Sequence, residues 1–352
     1  MKVLHTADIH LREYEDERWN ALSKLINIGR KEKVDVFTIA GDLFDKSVNA
    51  VKLRGKIRSL FSNIGFKVFI LPGNHDKDVY EPNLSFGSDV EILGDEPFDV
   101  ENVRILGIPF EEIAGEELLE KLYSLKPKLR KDGRNILLFH GELLDSFYSS
   151  DDFGKEGSKR YMPVKLSYFN ELNINYVLAG HFHTSFDCQI IRKDSYFVYP
   201  GSPVSITRRE IGQRKVNIFE FGNPPGEYSL DTPYFEDIDI ELSPFTDEEP
   251  LEKLRKKIEG LPENAKPLLR IKGYFNAKKL RTTESALVED IKEMVKERCI
   301  GKPKIEITDI QIMLEDDLFK KFLSKLREKD YDEDMRKEMR TVTIQAMMGI
   351  KS

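Results

Sequence analysis

Thiols are almost missing from this chain: its 352 residues carry two cysteines, Cys188 and Cys299, too few for a disulfide framework. A small disulfide-stapled secreted fold is therefore excluded. No apolar run approaches the ~20 residues of a membrane-spanning helix. Met1-Lys2-Val3-Leu4 leads straight into a first strand, so no signal peptide is expected. The expectation is a soluble, cytoplasmic protein with no membrane association. Internal repeats and low-complexity segments are also lacking, which argues against solenoids and linker-like chains. There is no overall basic excess, since the formal net charge is −7, and a histone-like polycation is ruled out. The balance is uneven, however. Residues 251–304 hold 15 Lys/Arg against 8 Asp/Glu, a local +7 that leaves −14 for the rest. That patch is a weak pointer to an anionic partner; on charge alone a solvated surface is the plainer reading. A charged content of 33%, rich in Lys and Glu, fits a thermophile composition.

The chain does have 40% hydrophobic residues over a length that exceeds one usual core, so two domains, or one with an appendage, are expected. Strand patterns at 2–7, 34–40, 67–71, 104–108, 135–139 and 176–179 alternate with helical patterns at 19–31, 51–64, 116–130 and 164–172. This alternation implies a layered α/β fold. Strands alone follow (188–192, 196–199 and 216–221), and Asn223-Pro224-Pro225-Gly226 breaks the chain. A first domain over 1–230 is expected, then a small α/β unit over 231–314 reading strand, helix, strand, helix, strand. Residues 315–352 read as a helical tail. Leu318, Phe319, Phe322, Leu323 and Leu326 share one stripe there, and Met335, Met339, Val342, Met347 and Met348 follow in a second helix. Such stripes either pack on their own domain or meet an external partner.

Five of the six histidines fall in short blocks with Asp and Asn: Asp8-Ile9-His10, Gly73-Asn74-His75-Asp76, His140-Gly141-Glu142 and Gly180-His181-Phe182-His183, to which Gly41-Asp42 adds a fifth block. Each block lies at or just after the end of a strand, where α/β sheets build their sites. Oxygen and imidazole donors without thiolate suit Mn, Fe, Zn or Mg. Paired ions clamp the attacking and leaving oxygens of an in-line displacement at phosphorus. Asp42, behind a glycine, is the candidate bridge between two ions. Asp8 with His10, and His181 with His183, are spaced to reach the ions from strand ends, and Asn74 adds a neutral amide oxygen. One Asp-x-His or His-x-His is usually coincidence; five ordered blocks are not. His75 reads either as a buried structural histidine or, as its place in the Asn-His-Asp turn favours, as a contact to the phosphate, with Asp76 able to hold its ring. His5, in a strand interior, reads as a satisfied core residue. Asp45 and Glu142 flank the ligands as supports or as solvated side chains.

These blocks resemble the signature of calcineurin-like metallophosphoesterases. Leu4-His5-Thr6-Ala7-Asp8-Ile9-His10-Leu11, Ala40-Gly41-Asp42-Leu43-Phe44-Asp45 and Tyr199-Pro200-Gly201-Ser202-Pro203 are similar to the SbcD branch, the nuclease subunit paired with an SMC-like ATPase of the SbcC type. The resemblance implies a four-layer α/β/β/α sandwich with a small α/β capping domain and a helical C-terminal tail. It implies one divalent ion, Mn first among the candidates, held by Asp8, His10, Asp42 and His183, and a second held by Asp42, Asn74, His140 and His181. His75 would stabilise the transition state or protonate the leaving oxygen. Archaeal and eukaryotic members have a histidine three residues after the bridging aspartate, where this chain has Asp45. The stretch between Asp76 and Leu93 is also short, which bears on whether the chain forms the family's homodimer.

The expectation is a Mn-dependent DNA nuclease of double-strand-break repair, an exonuclease and/or single-strand endonuclease. Lys253, Arg255, Lys256, Lys257 and above all Lys278, Lys279 and Arg281 would hold the DNA backbone without reading sequence. The alternative is a phosphoesterase for a cyclic nucleotide or small phosphomonoester, which seldom needs a cap and tail. A non-catalytic scaffold is a third reading, against which the full ligand set speaks.

Overall fold

β1 (Lys2–Thr6) is buried along almost its whole length, and the side chains of Val3 and Leu4 belong to different cores. A strand covered on both faces reads as an apolar run, not as an alternation. The same holds for β2 (Val36–Ala40), β3 (Lys67–Leu71), β7 (Asn135–His140) and β8 (Tyr176–Gly180). The computed structural model describes residues 1–46, 48, 50–81, 84–145 and 160–351, without the side chains of the last two.

The chain divides into two compact units, Met1–Phe235 and Glu236–Ser352. In the first, β4 (Val90–Ile92), β11 (Lys215–Glu220) and β12 (Glu227–Ser229) complete one six-stranded sheet, ordered β12-β11-β1-β2-β3-β4. β5 (Phe98–Val100), β6 (Val103–Ile108), β9 (Asp187–Arg192) and β10 (Ser195–Tyr199) complete a second, ordered β5-β6-β7-β8-β10-β9. β1, β2, β3 and β4 are parallel, as are β6, β7, β8 and β10. Val3, Val36, Phe69, Ile105, Leu138 and Leu178 fill the space between the sheets. α1 (Glu17–Glu32) and α2 (Ala50–Leu60) cover the outer face of the first sheet through Leu22, Leu25, Leu53 and Ile57. α3 (Gly115–Ser124) covers the second through Leu118 and Leu122. The result is the expected four-layer α/β/β/α sandwich.

Two helical readings need correction. The pattern at 116–130 becomes α3 followed by a short 3-10 turn at Lys126–Lys128, because Pro127 lacks the N–H that would continue the helix. At 164–172 only the 3-10 turn Leu166–Phe169 forms, since Val164 is drawn into an isolated bridge with Leu143. Three-residue strands such as β4, β5 and β12 were too short to show a period.

In the second unit, β13 (Tyr234–Leu242), β14 (Ala265–Phe275) and β15 (Lys304–Asp309) form a three-stranded sheet in that order. α4 (Pro250–Glu259) and α6 (Glu284–Val295) pack on it through Leu254, Ile258, Leu287 and Ile291, with α5 (Ala277–Leu280) between β14 and α6. α7 (Gln311–Glu315), α8 (Asp317–Glu328) and α9 (Glu333–Lys351) follow. Asp316 caps α8 by accepting from the Leu318 and Phe319 amides. The stripe of the tail is divided in use. Phe319 and Leu326 are buried, and Phe319 joins Ile310, Met313 and Ile344 in a small core, whereas Leu318, Met335 and Val342 are exposed. No described helix is long and apolar enough to cross a membrane.

Candidate metal centre

The parallel strands of both sheets release their chains at one end, and the five blocks meet there. Asp8 and His10 follow β1, Asp42 follows β2, Asn74 and His75 follow β3, His140 ends β7, and His181 and His183 follow β8. Main-chain bonds tie these loops together: Asp8 N–H donates to Gly41 O at 3.1 Å and His10 N–H to Asp42 O at 2.9 Å. The His181 amide donates to the Asp8 carboxylate at 2.9 and 3.0 Å, and the His75 amide to Asp42 Oδ1 at 2.9 Å. Asp8, His10, Asp42 and His181 all hold left-handed backbones, with φ of 54°, 51°, 54° and 93°. Gly41, at φ 94°, lies so close to the His140 ring that a Cβ there would collide with it.

The side chains converge on Asp42. Its Oδ2 is buried and makes no hydrogen bond, while His10, His75 and His140 point Nε2 at it from 3.7, 3.9 and 3.5 Å. His183 Nε2 lies 3.4 Å from Asp8 Oδ1 and 3.3 Å from His10 Nε2. His140 Nε2 is 2.8 Å from the Asn74 side-chain oxygen. Three sets of donors lie within 4.8 Å of one another: Asp8, His10 and His183; His10, Asp42 and His75; Asp8, Asp42 and His140. A bare carboxylate oxygen with no hydrogen bond, faced by imidazole nitrogens inside a buried pocket, is the donor set of a cation site, so the residues fit divalent metal. The His181 ring stands beside these sets, 5.3 Å from that of His140 and 4.9 Å from Tyr161.

Charge in the pocket is distributed accordingly. Burial holds His10 and His181 down at about 3, as neutral rings suited to ligation. Burial also opposes charge on His140 and His183, yet Asp42 lifts the first to about 9, while Asp8, helped by Glu210, lifts the second to about 10. Asp8 and Asp42 stay below the usual carboxylate range despite burial, through His183 and His140 respectively. Two buried carboxylates thus draw protons onto two imidazoles, and a cation would displace those protons.

Asp76 does not hold His75. Its carboxylate accepts from the Gly73 and Phe44 amides and from the Tyr80 hydroxyl, at 2.8, 3.2 and 2.7 Å, tying the Asn74 loop to the Asp42 loop. Burial and then the charge of Asp42 raise it to about 6. The His75 ring is held instead by the Lys46 amide, which donates to Nδ1 at 3.2 Å. Asp45 accepts from Arg12 and Arg18 at 2.9 and 3.3 Å, and Glu142 braces the Tyr161 amide at 3.0 Å. His5 is fully buried as expected, but neither ring nitrogen makes a hydrogen bond, so it is not a satisfied residue. Lys278, Lys279 and Arg281 belong to the second unit, around α5; Lys278 pairs with Glu315 at 2.8 Å and Lys279 with Asp247 at 3.7 Å.

The sequence profile of the calcineurin-like phosphoesterase family matches residues 1–185, more than half of the chain. The chain belongs to that family. Among curated proteins it is 29% identical over 269 residues to the DNA double-strand break repair protein Mre11 of Saccharolobus solfataricus, covering 69% of this chain and 65% of that one. It is 24% identical over 258 residues to the SbcD component of the nuclease SbcCD of Staphylococcus epidermidis, covering 61% and 64%. The chain thus spans a little under two thirds of the length of these relatives, and they match the SbcD-type resemblance read from its motifs. Among solved structures, TT1561 of Thermus thermophilus is 15% identical with a TM-score of 0.41, over 61% of this chain and 92% of that one.

Proposed function

We propose that this phosphoesterase is a Mn-dependent DNA nuclease of double-strand-break repair. One observation carries the reading: the buried, hydrogen-bond-free Asp42 Oδ2 ringed by His10, His75 and His140. Asp8, His10, Asp42 and His183 would hold one ion, and Asp42, Asn74, His140 and His181 the other. When bound, the pair supplies Lewis acidity toward phosphate oxygens and makes a water-derived nucleophile available near neutral pH.

The chain's own residues do the rest. Asp42 fixes the separation of the two donor sets, and the amides of His75 and His181 fix the carboxylates. Because the Lys46 amide occupies Nδ1 of His75, the neutral ring carries its proton on Nε2, which faces the centre. That proton is placed to stabilise the developing charge and to reach the leaving oxygen. A cleft of about 530 Å³ adjoins His75 and Asn74; its lining is mixed in charge, with Lys77 and Arg160 beside Asp78, Glu111 and Glu112, and Phe110 and Tyr161 give it aromatic surface on which a base could stack. Lys278, Lys279 and Arg281 would hold the DNA backbone; the ion pairs now engaging the two lysines are exposed and yield readily to phosphate. The names of the two relatives, one a break-repair protein and one a nuclease component, support this substrate over a small phosphoester. The exposed Leu318, Met335 and Val342 offer apolar surface to an SMC-like ATPase of the SbcC type.

The deciding experiment is Mn-dependent digestion of end-labelled duplex and single-stranded DNA beside hydrolysis of bis-p-nitrophenyl phosphate and cyclic AMP. Cleavage of DNA with the model diester is expected. Turnover of cyclic AMP with DNA left intact would replace the nuclease reading with the small-ester one.

A further inference from the structure

Tyr199-Pro200-Gly201-Ser202-Pro203 contributes no donor to the metal cluster, yet it runs directly behind it. The Ser202 amide donates to His183 O at 3.0 Å, and Ser202 Oγ donates to Glu210 Oε2 at 2.6 Å. Glu210 is 1% exposed and also accepts from the Ile206 amide at 2.8 Å and from the Thr207 amide and hydroxyl at 2.9 Å each. Arg214, 2% exposed, donates to Ser202 O at 2.9 Å, to Thr184 O at 2.8 Å and to His183 O. A buried anion and a buried cation, joined through Ser202, thus grip the His183 main chain.

One contact in this network is not explained by holding a loop. His183 Nδ1 is buried and makes no hydrogen bond, and Glu210 Oε1 stands 3.8 Å from it. The opposite nitrogen, Nε2, faces Asp8 and His10. His140 is backed differently: its Nδ1 meets a neutral carbonyl, that of Ala40, at 2.8 Å. One histidine of each donor set thus differs in what stands behind it, a carboxylate behind His183 and a main-chain carbonyl behind His140. A carboxylate behind a ligating imidazole fixes its tautomer and raises its donor strength.

We propose that Glu210 is a positioning residue that faces the His183 Nδ1–H and keeps the proton on that nitrogen, leaves Nε2 as the ligand atom, and makes the ion position of Asp8, His10, Asp42 and His183 the tighter of the two. This inference rests on the two-ion reading above. Titration of metal-free protein with Mn, followed by electron paramagnetic resonance of the free ion, tests both. The parent should bind two Mn; fewer would overturn the two-ion reading and this inference with it. Glu210→Gln should weaken the tighter binding step by about ten- to a hundredfold and leave the weaker within about twofold; a loss confined to the weaker step would overturn the proposal. Ser205→Ala removes a support of the same loop, the hydroxyl bond to the Glu210 main-chain carbonyl, while leaving the partners of the carboxylate in place, and should leave both steps unchanged. An effect of Glu210→Gln on neither step, an equal effect on both, or its reproduction by Ser205→Ala would overturn the role while the two-ion reading stands. If Glu210→Gln does not fold, imidazole nitrogen spectra of the Mg-loaded parent decide the matter. His183 should then carry its proton on Nδ1, shifted downfield of that of His140; a bare or unshifted Nδ1 would refute the proposal.

Discussion

Replacing His5 with leucine probes the least comfortable group in the first unit. His5 sits in the middle of β1, level with Asn217 on one side and Thr38 on the other, with no exposed surface. Burial holds its pKa at about 3, against 6.5 for a free imidazole, and the Ala179 main chain, which does not reach hydrogen-bond geometry, and Asp8 offset little of that. Because the folded value is the lower one, the unfolded chain binds the extra proton between those values. Stability from this source is intact above pH ~6.5 and falls as the pH drops. At about pH 4.5, two units below the free value, the loss is about 3 kcal/mol. Leucine takes up no proton and also removes two buried nitrogens without partners, a penalty of ~1–3 kcal/mol at any pH. His5→Leu should therefore be modestly more stable near pH 7 and more stable by about a further 3 kcal/mol near pH 4.5. Urea unfolding in the presence of a chelator at both pH values measures this. The metal-site histidines titrate in parent and variant alike and cancel in the difference. Parallel stability profiles would show that His5 is neither orphaned nor held neutral.

The remaining expectations concern the site and its substrate. Asp8→Asn and His181→Ala should lose metal and hydrolysis together, whereas His75→Ala should keep its metal and lose roughly 10²–10⁴ in rate; metal analysis beside kinetics separates the two, and a metal-free His75 variant would break the assignment. Metal uptake should release protons near pH 7, since His140 and His183 are protonated up to about 9 and 10. Affinity should accordingly rise between about pH 7 and 9. Calorimetry in buffers of different ionisation enthalpy counts the protons, and an apparent heat independent of buffer would contradict the charge distribution described. Changing Lys278, Lys279 and Arg281 to Glu should weaken DNA binding and flatten its salt dependence by up to about three phosphate contacts, with model-ester hydrolysis unchanged. Equal DNA affinity in that variant would mark the patch as a solvated surface.

Much of the metal centre was legible because its donors are short polar residues at strand ends, where the apolar run stops abruptly. Asp8, His10, Asp42, His140 and His183 announce themselves in this way. Asp76 was misread for the opposite reason: as the chain neighbour of His75 it invited a local partnership, but its loop turns the carboxylate back toward Phe44 and Tyr80. Glu210 and Arg214 left no signal at all. Arg214 reaches His183 across 31 residues, through a stretch whose pairing only the folded sheet brings about. Val164–Leu172 shows the limit from the other side, because one tertiary bridge outweighs a helical pattern too short to hold itself. The divided tail stripe belongs with it: periodicity shows that a face is apolar, but not how much of it the neighbouring core will cover.

The left-handed backbones at Asp8, His10, Asp42 and His181 carry a consequence for how such a protein ages under mutation. Outside glycine and, less freely, asparagine or aspartate, that conformation costs ~1–2 kcal/mol per residue. His10 and His181 are the two of the four that bear that cost in full: a chain selected for folding alone would place glycine there, and only the need to present an imidazole keeps them occupied. Each lineage released from that need has a downhill path open to it, in which the first substitutions to erase the chemistry also strengthen the fold. Inactive descendants of this sandwich should therefore be sturdier than their active parents, with glycine or asparagine in place of His10 and His181. The same path serves an engineer who wants the scaffold without its reaction.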